Sequence, residues 1–452
     1  MKFKFLSLLA AALSGVLSLA SCSARSADDV VQLRIDLDRS VLPSDTPGRA
    51  VVKICLDGLR LPRAEARPPV NLALVIDRSG SMEGDKLARA REAALEALRR
   101  LAPDDVLSVV TYDTAVQTLV PAQCVGDGYR IAAAIRGIRA GGSTALFGGV
   151  SQGASEVRKH VEDRRYVHRV ILLSDGLANV GPQTPEELGS LGAALMKEGI
   201  SVTTVGLGLG FNEDLMTRLA QRSDGNTYFV ESSDDLPRIF AGELGDVLNV
   251  IARRVVIEVE FPEGVRPLNF IGREGVIRGR KAELTLNQLY GGQEKFALIE
   301  VEVPSSKAGV EIEIATARLT YENALTQKTA VVRAQRKISF SESHAAVVAS
   351  ADLKVQSDYA VNVIAETKDK AVELVDSNRR ADAGKELRAK AAELQTIGAA
   401  YNNAPMVELA KKQVIEADKL EREGLSNVDR KTYRSESAQM KSQQSSSSSP
   451  SR

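Results

Sequence analysis

The sequence predicts an α/β protein: a doubly wound, mostly parallel sheet inserted in a β-sandwich, with a C-terminal helical region. Three patterns in the 452 residues carry that reading. Residues 70–248 alternate nearly continuous apolar strands with helical segments, the text of an open parallel sheet covered on both faces. Period-two text before and after that stretch reads as half-buried antiparallel strands. Ala-, Leu-, Lys- and Glu-rich text with 3.6-residue spacing then fills residues 350–424. A chain of this length is too long for one typical core, so two or three domains are expected.

In chain order, Val31-Gln32-Leu33-Arg34-Ile35-Asp36-Leu37 alternates apolar and polar residues. Residues 49–56 repeat the pattern after a turn at 43–48, and a Pro- and Arg-containing linker spans 60–69. Within the α/β region the strands fall at 70–76, 106–112, 116–120, 167–173, 201–207 and 228–230. Helices lie between and after them at 86–101, 129–138, 146–161, 186–197, 212–221 and 234–248. Residues 249–345 return to β text, with strands at 255–261, 296–303, 310–321 and 331–338. Two or three N-terminal strands cannot bury a core alone, so residues 22–69 and 249–345 are expected to form one sandwich. Residues 346–424 form the helical region, and 425–452, polar and ending in a serine run, read as a disordered tail.

Composition removes several functions. Lys+Arg and Asp+Glu both number 59, so no global field favours nucleic acid, and no nucleic-acid partner is expected. Aromatics make up 4% and Trp is absent, which disfavours base-stacking platforms and an aromatic-lined sugar cleft. Three Cys and three His leave little material for zinc. A metal site would have to be built from oxygen ligands.

The N-terminus is an address. Lys2 and Lys4 precede an apolar run over 5–20 that is too short to span a bilayer comfortably, and residues 1–21 read as a signal peptide. The run ends in Leu19-Ala20-Ser21-Cys22, which resembles the bacterial lipobox. That resemblance implies lipidation at Cys22 and a membrane anchor made of acyl chains alone. The location is then the cell envelope, and Ser23 rather than Asp after the cysteine favours an outer membrane if the cell has one. Cys55 and Cys124 read as two separate buried thiols.

The chemistry gathers at strand ends. The first strand of the α/β region runs into Asp77-Arg78-Ser79-Gly80-Ser81, where Asp77, Ser79 and Ser81 alternate along an extended turn. Another strand ends in Ser174-Asp175-Gly176, on the same edge of the sheet. Between them, Gly141-Gly142-Ser143-Thr144 opens a helix with hydroxyl side chains. Ligands in parallel α/β sheets sit outside the carboxyl ends of the strands. Two carboxylates and three hydroxyls, with no His or Cys, are hard ligands suited to Mg²⁺, with Mn²⁺ or Ca²⁺ as alternatives.

These residues resemble the metal-ion-dependent adhesion site of the von Willebrand factor type A (VWA) family, whose fold is a Rossmann-like doubly wound sheet. Asp77, Ser79, Ser81, Thr144 and Asp175 match its five positions in order. The resemblance implies that Ser79, Ser81 and Thr144 touch the metal, while Asp77 and Asp175 act through water or hydrogen bonds. The resemblance also prefers Thr144 to Ser143, because the family's Thr immediately precedes the next helix. Asn212-Glu213-Asp214 after Gly206-Leu207-Gly208 is similar to members related to inter-α-trypsin inhibitor heavy chains and calcium-activated chloride channel regulators. The implied function is a membrane-anchored, metal-dependent protein-binding or adhesion module, whose open coordination position accepts an Asp or Glu carboxylate from a partner. The alternative is a structural or assembly subunit of a cell-envelope complex.

No enzyme is expected. A haloacid-dehalogenase-type phosphatase needs a second carboxylate where Ser79 stands. No Gly-x-x-x-x-Gly-Lys-Ser/Thr loop occurs, and Ser81 has Ser79 rather than Gly two positions before it, so it fails the nucleophile-elbow spacing. His160, His168 and His344 form no His-Glu-x-x-His pair, and His168 reads as a packing or edge residue. Lys86, Arg89, Arg91 and Arg99 read as a solvated helix face paired with Glu92 and Glu96.

Overall fold

The structure, a computed structural model, describes residues 30–60 and 67–446. The predicted leader, Cys22, most of the predicted linker and residues 447–452 lie outside the described residues. Three strands lead: β1 (Val31–Leu37), β2 (Val41–Pro43) and β3 (Gly48–Gly58). The α/β unit opens with β4 (Val70–Asp77), α1 (Asp85–Arg100), β5 (Val106–Tyr112), β6 (Val116–Cys124), α2 (Tyr129–Arg136) and α3 (Leu146–Arg158). It continues with β7 (Val167–Ser174), α4 (Pro185–Lys197), β8 (Ile200–Leu207), α5 (Glu213–Arg222), β9 (Thr227–Val230) and α6 (Leu236–Val247). Antiparallel strands β10 (Val250–Glu260), β11 (Arg266–Ile271), β12 (Val276–Arg278), β13 (Lys281–Tyr290), β14 (Gln293–Val303), β15 (Glu311–Asn323) and β16 (Thr329–Ser341) follow. The chain then runs through α7 (His344–Ala349), α8 (Leu353–Asp376), α9 (Arg380–Ala400), α10 (Ala404–Glu423), α11 (Asn427–Lys441) and β17 (Gln444–Ser446). No helix among the described residues is long and apolar enough to cross a membrane.

The central sheet has the order β6-β5-β4-β7-β8-β9, parallel throughout except for β6, which runs antiparallel to β5. Every residue of β4, β7 and β8 is buried. That burial explains their unbroken apolar text: α1, α2 and α6 close one face and α3, α4 and α5 the other. The chain passes from β4 to β5 on one side and later returns to β7 on the other, so the order reverses at β4. The ends of β4 and β7 therefore flank the crevice where such sheets take ligands. Helix α3 lies unusually close to the sheet. A Cβ at Gly149 would stand 2.6 Å from Tyr112 Cδ1, and one at Gly153 2.4 Å from Val75 Cγ2. This close seat positions the start of α3, and with it Thr144.

The two β flanks share one core. Sheet β1-β3-β14-β11, with β17 beside β14, faces sheet β12-β13-β10-β15-β16-β2. Leu33, Ile35, Val52 and Ile54 from the front pack with Ile257, Leu286, Ile299 and Leu319 from the back. Strands β11, β12 and β13 are additions to the sequence reading. Ala282, Leu284 and Leu286 alternate inward in β13, but glycines at 272, 275 and 279 break the text into pieces too short to stand out.

The expected disordered tail at 425–452 is a correction. Residues 427–441 form α11, started by a capping box in which Ser426 and Asp429 satisfy each other's backbone N–H groups. The helix is held by charges rather than apolar area, which is why its polar text reads as tail. Arg430 pairs with Glu213, with Asp214 at 2.7 Å and with Asp376 at 2.7 Å. Arg434 pairs with Asp214 and Asp369, both at 2.8 Å. Cys55 is buried, but Cys124 is exposed, contrary to expectation; both are free thiols. Cys124 lies on β6, the open edge strand, where nothing covers it.

The α/β unit and the sandwich meet across a polar junction. Arg169 of β7 is fully buried, and its guanidinium donates to Gln288 Oε1 (2.9 Å) and Tyr290 Oη (2.5 Å) of β13 and to Thr203 Oγ1 (3.3 Å). Glu243 of α6 stands 3.5 Å away and accepts from Thr203, Asn226 and Tyr228. Beside this junction His168 is buried, its Nδ1 3.2 Å from Asn71 Nδ2. Burial, reinforced by Arg253 and Arg254, pushes its pKa down to about 4. The unfolded histidine titrates near ~6.5, so the unfolded chain binds the extra proton and stability falls as pH drops from that value toward 4. Wild type is expected to lose about 2 kcal/mol more than His168→Gln between pH 7 and pH ~4.5. Urea unfolding at the two pH values checks this, and equal losses would refute it.

Candidate metal centre

Asp77 ends β4 wholly buried, and both of its oxygens are engaged. Oδ1 accepts the Ser79 backbone N–H at 2.8 Å, and Oδ2 accepts the Ser174 hydroxyl at 2.7 Å. Burial pushes its carboxyl up, the bonds from Ser79 and Ser174 oppose that, and the Asp175 charge adds to it. The Ser79 bond folds residues 78–82 back over the strand end. This turn is tied to the glycine loop by Gly80 N–H to Gly142 O (3.0 Å) and Gly141 N–H to Arg78 O (2.8 Å). Thr144 donates its backbone N–H to Asn179 Oδ1 at 2.9 Å, and Arg78 pairs with Asp113 at 3.0 Å.

The hydroxyls converge inside this frame. Ser79 Oγ and Ser81 Oγ are 3.1 Å apart, and Ser81 Oγ donates to Asp175 Oδ1 at 2.7 Å. Gly176 leaves the gap between them open: a Cβ there would lie 3.0 Å from Thr144 Oγ1 and 3.7 Å from Ser81 Oγ. The structure thus brings all five residues, Asp77, Ser79, Ser81, Thr144 and Asp175, to one strand edge.

This donor set fits a hard divalent cation. Metal–oxygen bonds of about 2.0–2.1 Å at right angles put neighbouring ligands about 2.9 Å apart. The 3.1 Å between the Ser79 and Ser81 hydroxyls is close to that spacing. All donors are oxygens, as Mg²⁺ requires. Asp77, fixed by its two internal bonds, is placed to orient a water rather than to reach a metal itself.

Lys86 departs from the sequence reading. It belongs to the site while staying partly exposed: its Nζ donates to Asp175 Oδ2 at 2.5 Å and to the Ser81 carbonyl at 3.3 Å. Arg89 and Arg99 do pair with Glu92 and Glu96 on the helix surface, while Arg91 caps carbonyls of residues 136 and 138. One signal was available. Lys86 sits in the first turn of α1, where the helix dipole disfavours a cation, so a nearby anion offsets its position. Ser174 and Asn179 also support the site without belonging to the motif.

No histidine stands at this edge; His168 is near the opposite, amino end of β7. A cavity of about 710 Å³ also lies elsewhere, between α4, α5, β12, β13 and α11. Three of its four lining cations are already paired, Arg222 with Glu274, Arg273 with Asp224 and Lys441 with Asp369, so the strand edge is the better functional candidate.

Residues 71–242 match the family model of the von Willebrand factor type A domain. The chain contains a VWA domain. The uncharacterized protein sll0103 of Synechocystis sp. is 28% identical over 323 residues, covering 68% of this chain and 76% of that protein. Inter-alpha-trypsin inhibitor heavy chain H3 of Rattus norvegicus is 28% identical over 228 residues, covering 47% of this chain but only 25% of that protein. The chain therefore spans about three quarters of the first relative and a quarter of the second. Among solved structures, a von Willebrand factor type A protein from Catenulispora acidiphila superposes with a TM-score of 0.66 at 15% identity, covering 86% of this chain and 91% of its own. At that identity the likeness shows the fold, and it extends well beyond the VWA domain into the flanking units.

The Lys86 ammonium competes for Asp175 with any cation bound beside it. Lys86→Met is expected to tighten Mg²⁺ binding roughly fivefold, or about 1 kcal/mol, the scale of a half-exposed ion pair. Isothermal titration checks this; unchanged or weaker binding would show that the ammonium does not compete.

Proposed function

We propose that this protein is a membrane-anchored, divalent-metal-dependent protein-binding module without enzymatic turnover. The observation that carries the reading is the convergence of the Ser79, Ser81 and Thr144 hydroxyls around a gap kept open by Gly176, with Asp77 and Asp175 locked behind them. Ser79, Ser81 and Thr144 would hold the cation directly, and Asp77 and Asp175 would orient its waters. A bound Mg²⁺ supplies a Lewis-acidic position at which a partner's Asp or Glu carboxylate can replace a water. Ser81 and Ser174 each donate to a buried carboxylate that belongs to the site's frame, which supports binding rather than turnover.

Asp77→Ala and Thr144→Ala should each abolish measurable Mg²⁺ binding while leaving the sheet folded, because Asp77 is the last residue of β4 and Thr144 lies in the loop before α3. Titration calorimetry with circular dichroism as the folding control checks this, and undiminished affinity in both variants would overturn the metal assignment. The anchor is tested separately. In a bacterial host, the full-length chain should label with radioactive palmitate and sediment with membranes, and Cys22→Ala should do neither. Membrane association that survives this change would refute acylation at Cys22.

A further inference from the structure

The two loops that close the metal edge each leave one leucine uncovered. After Asp175 and Gly176 the chain exposes Leu177 at 57% and then buries Ala178 in the core beneath α3. After β8 the same happens: Leu207 and Phe211 are buried, and Leu209 between them is 48% exposed. Both loops touch the site. A Cβ at Gly210 would lie 2.6 Å from the Asp175 carbonyl oxygen, and one at Gly208 3.8 Å from Lys86 Nζ, which itself holds Asp175 Oδ2. Leu209 lies between these two contact points, and Leu177 adjoins the glycine that opens the Thr144–Ser81 gap. Strands β7 and β8 are neighbours, with Ser174 opposite Gly206, so the two loops leave the sheet side by side.

Isolated exposed leucines are ordinary. Two on adjoining loops against one polar site are a different matter, because apolar area beside a ligand position marks a recognition surface. The charges say what it recognises. Asp77, Asp175 and Lys86 together carry minus one, and a divalent cation turns the sum over these three groups to plus one. One carboxylate then neutralises it, and the same carboxylate is repelled when the cation is absent.

We infer that Leu177 and Leu209 form an apolar clamp beside the metal, and that the partner is a protein segment in which an Asp or Glu stands next to a large aliphatic or aromatic residue. The inference rests on the metal-dependent binding proposed above. The carboxylate supplies metal dependence, and the apolar neighbour, desolvated between the two leucines, supplies selectivity among acidic segments.

The test is a random displayed-peptide library panned on the full chain in Mg²⁺ and eluted with EDTA, with Mg²⁺ affinity measured in parallel on the wild type and a Leu177→Ser, Leu209→Ser double variant. Eluted peptides should carry Asp or Glu within two positions of Leu, Ile, Met or Phe. The double variant should bind them roughly tenfold more weakly with its Mg²⁺ affinity unchanged. Peptides with the apolar residue changed to Ser should bind wild type and variant alike. Acidic peptides without an apolar neighbour, equal binding by the double variant, or no EDTA-eluted peptides from a chain that does bind Mg²⁺ would each overturn the clamp. A wild-type chain that fails to bind Mg²⁺ would overturn the metal reading first, and the clamp with it.

Discussion

The site depends on one buried carboxylate. Asp77 sits at the end of a strand covered on both faces, where an unpaired charge would be costly. Its two oxygens are satisfied by the turn that follows β4 and by the hydroxyl that ends β7. Those bonds therefore do two things at once. They offset the desolvation of Asp77, and they fix the Ser79-Ser81 turn and the Ser174-Asp175 corner relative to each other. The hydroxyls that face outward are placed by what Asp77 requires inside.

That frame is held from below by the sandwich. The central sheet is not an independent bead on a linker, because Arg169 crosses from β7 to the side chains of β13, and Arg253 reaches back from β10 to the Tyr166 carbonyl at 2.7 Å while pairing with Glu322 at 2.6 Å. Buried arginines of this kind gain their hold from several simultaneous hydrogen bonds rather than from one ion pair. The result is a VWA domain whose amino-end face is seated on a second core, away from the carboxyl ends of β4 and β7 that carry the site.

Helix α11 makes a third connection, and it reaches toward the metal edge. Lys431 Nζ donates to the Phe211 carbonyl and to Glu213, both at 2.5 Å, and lies 4.2 Å from the centre of the Phe211 ring. Phe211 follows the loop whose Gly210 abuts the Asp175 carbonyl. The polar end of the chain thus braces the loop beside the site through charge, in a segment with little apolar area to bury.

The sequence by itself determined the chemistry of the edge and the class of the fold. Side-chain type and local spacing were enough, since Asp77, Ser79 and Ser81 lie on one turn and Thr144 and Asp175 at the borders of periodic segments. Continuous apolar runs marked β4, β7 and β8 because burial on both faces leaves no polar position. Tertiary structure alone decided the partnerships that span the chain. Ser174 meets Asp77 across 97 positions and Ser81 meets Asp175 across 94, and neither distance leaves a local pattern. Lys86 read as surface until Asp175 came beside it, and residues 427–441 read as tail until Glu213, Asp214 and Asp369 supplied the counter-charges. Leu177 and Leu209 look like core text, and only the way their neighbours pack leaves them in solvent. Local sequence records what a residue can do; charge pairing and exposure depend on what folding brings next to it.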